Sequence, residues 1–119
     1  MNVLNVIIAG LCGICARYAV LRWFVATAFP LATLVVNVTG CFIAGMVIGG
    51  VSSGYITPQT RNWLIVGFCG AYTTMSAFAL ETVALWQTER YGAAAGNILA
   101  NVALCLLAVF VGKYLASCL

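Results

Sequence analysis

The sequence predicts an all-α integral membrane protein: one domain, residues 1–119, of four transmembrane helices, the third broken near the bilayer centre, assembled as an antiparallel dual-topology homodimer. Three observations carry this. First, the chain is 65% apolar and 6% charged, where an ordinary soluble domain carries about 25% charged residues. So small a water-soluble fold cannot hide that much apolar surface, so lipid must be its solvent. Second, the apolar residues fall into four runs separated by short connections. Third, the polar residues inside the runs crowd toward one end of the bundle and interrupt the third run at its middle. The formal charge of +3 rests on five basic and two acidic side chains, too few for a nucleic-acid surface.

The first run, residues 3–24, begins at Met1-Asn2-Val3-Leu4 with no basic stretch and no processing site after it. It reads as a retained first helix and not as a removed signal peptide. Cys12-Gly13-Ile14-Cys15 has the spacing of a redox or metal motif, but no second ligand pair accompanies it. The cysteines at 12, 15, 41, 69, 105 and 118 therefore read as buried free thiols that act as small hydrophobes. A tight turn, Ala26 to Pro30, leads to the second run, residues 31–51, and proline suits a helix start. Within it Gly45 and Gly49 form a small-xxx-small pair that lets backbones approach closely. Ser52 to Gln59 is a loop with turn chemistry.

The third run, residues 63–86, spans about 35 Å as a helix, with Trp63 and Trp86 suited to the two headgroup layers. Its middle, Gly67-Phe68-Cys69-Gly70-Ala71-Tyr72-Thr73-Thr74-Met75-Ser76, is too polar and too glycine-rich for a lipid-facing helix. Such backbone persists at membrane depth only where it is buried in protein or lines a wet cavity. Gln87 to Gly92 closes the last hairpin. The fourth run, residues 93–115, carries Asn97, Asn101 and Cys105 at i, i+4 and i+8, on one helix face.

Four spans place both termini and the second loop on one side of the membrane. That side carries Arg61, Lys113 and the terminal amine; the other carries Arg22, Arg90 and the opposing Glu89. An excess of Lys and Arg sets orientation, and here the two sides nearly tie, which predicts insertion both ways round. Arg17, Thr33, Asn37, Glu81, Asn97 and Asn101 all lie in the half nearest the first loop, while the other half is almost pure hydrocarbon. One subunit offers a polar half-path that ends at the membrane centre. A second, inverted copy supplies the other half.

On these residues the chain resembles the Fluc (CrcB) fluoride channel family, and the likeness covers nearly its whole length. The matching pieces are Gly13-Ile14-Cys15-Ala16-Arg17-Tyr18, Pro30 to Gly40, Gly67 to Phe78 with Glu81, and Asn97 with Asn101. The resemblance implies passive fluoride export through two pores in an inverted homodimer, in the cell inner (plasma) membrane, with fluoride and lipid as the other partners. It implies a structural Na⁺, not transported, held by the main-chain carbonyls of Gly70 and Thr73 from each subunit. It implies a fluoride path past Thr33, Asn37, Met75, Phe78, Glu81, Asn97, Asn101 and Cys105. At two places the chain departs from the family pattern: Met75 stands where the family has its first phenylalanine, and Cys105 where it has a serine.

The chemistry suits that assignment. Fluoride is strongly hydrated, so its path must replace water with donors. Asn37, Asn97 and Asn101 offer amide N–H groups and Thr33 a hydroxyl. The electropositive rim of Phe78 can face an anion, and Arg17 near the mouth can draw anions in. Glu81 is protonated at this depth, paired with Arg17, or the donor of a proton-bearing contact; the sequence leaves all three open. Two other functions compete. A small multidrug resistance-type proton-coupled exporter needs a buried acid on the first helix, where this chain has Arg17 and no acid. A non-transporting membrane assembly subunit leaves the broken third segment without a purpose. No histidine and one mid-membrane acid argue against an enzyme.

Overall fold

Asn2 opens the first helix by accepting the Leu4 N–H on its side chain at 3.2 Å, which satisfies one of the donors a helix start leaves over. In the computed structural model, which describes residues 2–24 and 27–119, that helix, α1, runs Val3–Trp23. Of the turn predicted after it, Ala26 lies outside the described residues, while Thr27 to Pro30 lead into α2, Leu31–Ser52. α2 ends on Gly54 at φ 80°. The Tyr55 N–H returns to the Gly50 carbonyl at 2.9 Å and the Gly54 N–H to Val51 at 3.1 Å, the paired bonds of a left-handed helix stop.

The third span begins earlier than the hydrophobic pattern indicates. α3, Pro58–Asn62, starts on Thr57, whose hydroxyl accepts the Thr60 N–H at 3.2 Å. A capping threonine followed by proline is a helix start, so Pro58 and Gln59 belong to the helix and not to the loop. A π-helical segment, Trp63–Cys69, follows, then a short α4, Gly70–Tyr72. Thr73 (φ −76°, ψ 159°) and Thr74 (φ −147°, ψ 109°) are extended. Helix resumes as α5, Met75–Gln87, with the Thr74 hydroxyl capping the Ala77 N–H at 3.1 Å. α6, Tyr91–Ser117, completes the chain. The segments Val3–Trp23, Leu31–Ser52, Pro58–Gln87 and Tyr91–Ser117 are each long and apolar enough to cross a bilayer. The protein is an all-helical, multi-pass membrane protein.

Two parallel helix pairs make the bundle. α2 and α6 run side by side with a nearly constant offset. Asn37 meets Asn101, Gly45 meets Val109 and Gly49 meets Lys113, and the Ser53 hydroxyl donates to the Ala116 carbonyl at 3.1 Å. A side chain at Gly45, Gly49 or Gly112 would run into the Val109, Lys113 or Phe42 carbonyl respectively, well inside contact distance. The small-xxx-small pair thus does what its spacing indicates, and Gly112 answers it from the other helix. α1 packs along the first half of the third span, where Gly13 faces the Phe68 carbonyl and Gly67 faces the Val6 carbonyl at a Cβ clearance of 2.7 Å.

The thiols divide against expectation. Only Cys69 is buried; Cys41 and Cys105 are half-buried, and Cys12, Cys15 and Cys118 are exposed. Lipid is as apolar as a core, so a thiol on an outer face suffers no penalty for staying there.

Candidate functional site

The offset between α2 and α6 lines up two polar ladders. Thr33, Asn37 and Cys41 follow one another at every fourth position of α2, and Asn97, Asn101 and Cys105 do the same on α6. With successive i, i+4 positions stacked on each helix, the parallel packing sets Thr33 level with Asn97, Asn37 with Asn101, and Cys41 with Cys105. Thr33 and Asn97 are 1% and 0% exposed, and Asn37 and Asn101 are 9% and 6%. Burial this deep demands hydrogen-bond partners, and the chain provides them.

The Asn97 amide donates to Thr82 Oγ1 at 2.9 Å. The Asn101 amide donates to the Asn97 carbonyl and to Asn97 Oδ1, each at 3.0 Å. The Asn37 amide donates to Asn101 Oδ1 at 3.0 Å and to the Thr74 carbonyl at 3.2 Å, while its own Oδ1 accepts the Thr74 N–H at 2.8 Å. One continuous network therefore runs from Thr82 on α5, through both ladders, to the extended pair at Thr73 and Thr74. Asn37 serves both polar groups of the Thr74 backbone, which in a continuous helix would bond within the helix. Gly40, one turn down α2, leaves room for the Thr73 methyl and the Tyr72 ring against it. Tyr72 shares a hydrogen bond with Thr39 at 2.8 Å and stacks on Phe68, ring centroids 5.6 Å apart.

Two cavities flank this network. One, of about 360 Å³, is lined by Asn37, Met75, Phe78 and Asn101 together with Cys41 and Cys105. The other, of about 370 Å³, lies toward the first loop, with Glu81 in its wall beside Pro30, Leu31 and Leu85. Glu81 is tied to α2: its Oε1 accepts the Thr33 hydroxyl at 2.7 Å, while its buried Oε2 has no partner within the described residues. Phe78 sits one turn before Glu81 on α5 and lines the first of the two cavities.

The residues named from sequence divide by this geometry. Asn37, Met75, Phe78, Asn101 and Cys105 share one cavity wall, and Thr33 and Glu81 are bonded to each other at the edge of the second. Asn97 lines neither cavity; its amide is committed to Thr82. The amide donors of Asn37 and Asn101 are likewise committed within the network. Arg17 is not paired with Glu81: its Nη1 reaches the Thr73 carbonyl at 3.4 Å, which puts it beside the extended pair. Cys41, Thr74 and Thr82 were not singled out from sequence. Cys41 continues the four-residue step from Thr33 and Asn37, which was the available signal. Thr82 had none, because a threonine in a membrane helix commonly bonds its own backbone, as this one also does to Phe78 at 2.7 Å.

Main-chain oxygens at the interruption suit a hard cation. The Gly70 carbonyl has lost its usual partner, since the Thr74 N–H goes to Asn37, and Gly70 is exposed, where an added Cβ would meet only the Ile65 carbonyl at 3.6 Å. The Thr73 carbonyl is shared with Arg17 by a long bond, so a cation there would have to compete with the guanidinium.

The family model described as CrcB-like protein, Camphor Resistance (CrcB) matches residues 4–113. The chain is 41% identical to the fluoride-specific ion channel FluC of Koribacter versatilis over 106 residues, 86% of this chain and 84% of that one. It is 40% identical to FluC of Saccharophagus degradans over 111 residues, covering 91% and 84%. With FluC 1 of Streptomyces avermitilis it is 38% identical over 122 aligned positions, covering 100% and 98%.

Proposed function

The chain belongs to the CrcB-like family, and we propose that it is a fluoride-specific ion channel that lets F⁻ leave the cytoplasm down its gradient and so limits fluoride toxicity. One observation carries the reading: the stacked polar ladder of Thr33, Asn37, Asn97 and Asn101 with a cavity on each side. A buried amide network that served only to hold helices together would not need open space at both ends.

The committed donors suggest how fluoride is handled. The longest bond at Asn37 is the 3.2 Å contact to the Thr74 carbonyl. A fluoride ion in the cavity beside Asn37 can take over that amide hydrogen without a new donor being built. Asn101 then stands one bond behind to restore Asn37. Phe78 lines the same space, and Met75, 75% exposed, presents only weakly polarised C–H groups. Asn97 acts by holding Asn101 in place. Thr33 fixes one oxygen of Glu81 and leaves the other without a partner among the described residues. Narrow apolar walls with few donors exclude a larger halide by width and by dehydration.

The ladder occupies only the half of the bundle nearest the first loop, and Gly70 is exposed at its end. Both features support assembly with a second, inverted copy, two parallel paths, and a structural Na⁺ shared by the Gly70 and Thr73 carbonyls of the two subunits. In that assembly the Thr73 carbonyls must be released from Arg17, which would then turn toward the anion path. The same reading places the protein in the cell inner (plasma) membrane in both orientations.

Purified protein in liposomes loaded with KF and KCl, followed with fluoride- and chloride-selective electrodes, tests the proposal. Rapid passive release of fluoride with chloride retained is the expected result. Proton-coupled drug movement, or no flux at all, refutes it.

A further inference from the structure

We propose that Cys41 and Cys105 form a two-thiol site for a soft, thiophilic cation, and that filling this site closes the groove. The third rung of the ladder carries it. The packing that sets Asn37 against Asn101 sets Cys41 level with Cys105 one turn further on. Both are free, half-buried, and line the 360 Å³ cavity that also holds Asn37, Met75 and Phe78. The cavity gives a small ion access to both sulfurs at once.

The donor set decides the ligand class. Among the described residues no group of three or more His, Cys, Asp or Glu side chains is arranged to hold a metal. Zinc wants four such ligands in a tetrahedron. Two sulfurs alone suit ions that accept linear two-coordination by thiolate, the Cu(I), Ag(I) and Hg(II) class, for which soft ligands are selective. With Hg²⁺ each thiol gives up its proton to water and two S–Hg bonds form. The product is a neutral bis-thiolate, and no oxidation state changes. Neutrality suits a site at membrane depth, where net charge is costly. Bridging α2 to α6 there places a heavy atom in the wall beside Phe78 and pins the two ladders together.

Metal binding stands on the thiol geometry alone; closure of the groove rests also on the channel reading. The test uses Hg²⁺ and a variant with Cys12→Ser, Cys15→Ser, Cys69→Ala and Cys118→Ser, which retains only the proposed pair. Its thiolate–mercury absorption should titrate to one Hg²⁺ per chain. Both thiols should then be protected from a membrane-permeant maleimide, and dithiothreitol should reverse the binding. Adding Cys41→Ala should weaken binding at least tenfold; equal affinity with one thiol or two overturns the site. In liposomes Hg²⁺ should stop fluoride release from the two-thiol variant and not from the one-thiol variant. Binding with undiminished release overturns the closure. Absence of release before any Hg²⁺ is added refutes the channel reading instead, and leaves the binding titration to decide the site.

Discussion

Replacing Asn37 by aspartate removes two of its three hydrogen bonds at once, and the structure sets the scale of the effect. The amide donates to the Thr74 carbonyl at 3.2 Å and to Asn101 Oδ1 at 3.0 Å, and its oxygen accepts the Thr74 N–H at 2.8 Å. The substituted carboxylate would keep the last bond and lose both donors, which leaves two buried acceptors facing a carboxylate oxygen. At about 1–3 kcal/mol for each unsatisfied group, Asn37→Asp costs about 2–6 kcal/mol of stability. Its charge acts separately on the anion path. A unit charge about 4 Å from another, at an effective dielectric of about 20, is worth about 4 kcal/mol. Against fluoride that is a barrier of roughly a thousandfold. Fluoride-electrode efflux from liposomes, with size-exclusion chromatography and thermal denaturation as controls for folding, reads both effects. Acidification should recover part of the flux, because a protonated carboxyl is neutral and supplies one O–H donor. A folded Asn37→Asp variant that releases fluoride at a rate close to the parent's refutes the reasoning.

Phe78→Ile removes the aromatic rim from the cavity wall and should slow fluoride efflux severely, whereas Met75→Phe should retain it; a parent rate in Phe78→Ile excludes the ring from the mechanism. Gly112→Ala drives a methyl into the Phe42 carbonyl on α2 and should cost about 1–3 kcal/mol, read as a fall in the melting temperature of the detergent-solubilised protein. Glu89 holds φ 59° at the end of α5, where its N–H bonds Trp86 at 3.0 Å and the Arg90 N–H bonds Leu85 at 2.9 Å. This is the same stop that Gly54 makes after α2, with a side chain in the left-handed region that costs roughly 1–2 kcal/mol. Glu89→Gly should therefore raise the melting temperature with fluoride efflux unchanged.

The spans and their class were legible because a bilayer imposes one requirement on every residue of a crossing helix. Length and hydropathy report that requirement directly, and the start of the third run, at Pro58, is the boundary that moved furthest. The four-residue polar step on α6 was equally plain, and so was the small-xxx-small pair at Gly45 and Gly49. The pattern could say which residues share a face, and the family resemblance could attach fluoride to them.

Which groups answer one another was beyond its reach. A parallel offset that sets Asn37 on Asn101 and Cys41 beside Cys105 is a property of two surfaces fitted together, not of either helix. It is fixed by where glycines at 45, 49 and 112 allow backbones to meet. The fate of each donor followed from that fit. Asn97 is bonded to Thr82, Asn37 supports the Thr74 backbone, and Arg17 reaches Thr73 rather than Glu81. Sequence by itself determined the solvent this chain lives in and the polarity of each helix face. Tertiary packing alone decided the pairing of those faces, because a hydrogen bond depends on distances of a few tenths of an ångström that no periodicity encodes.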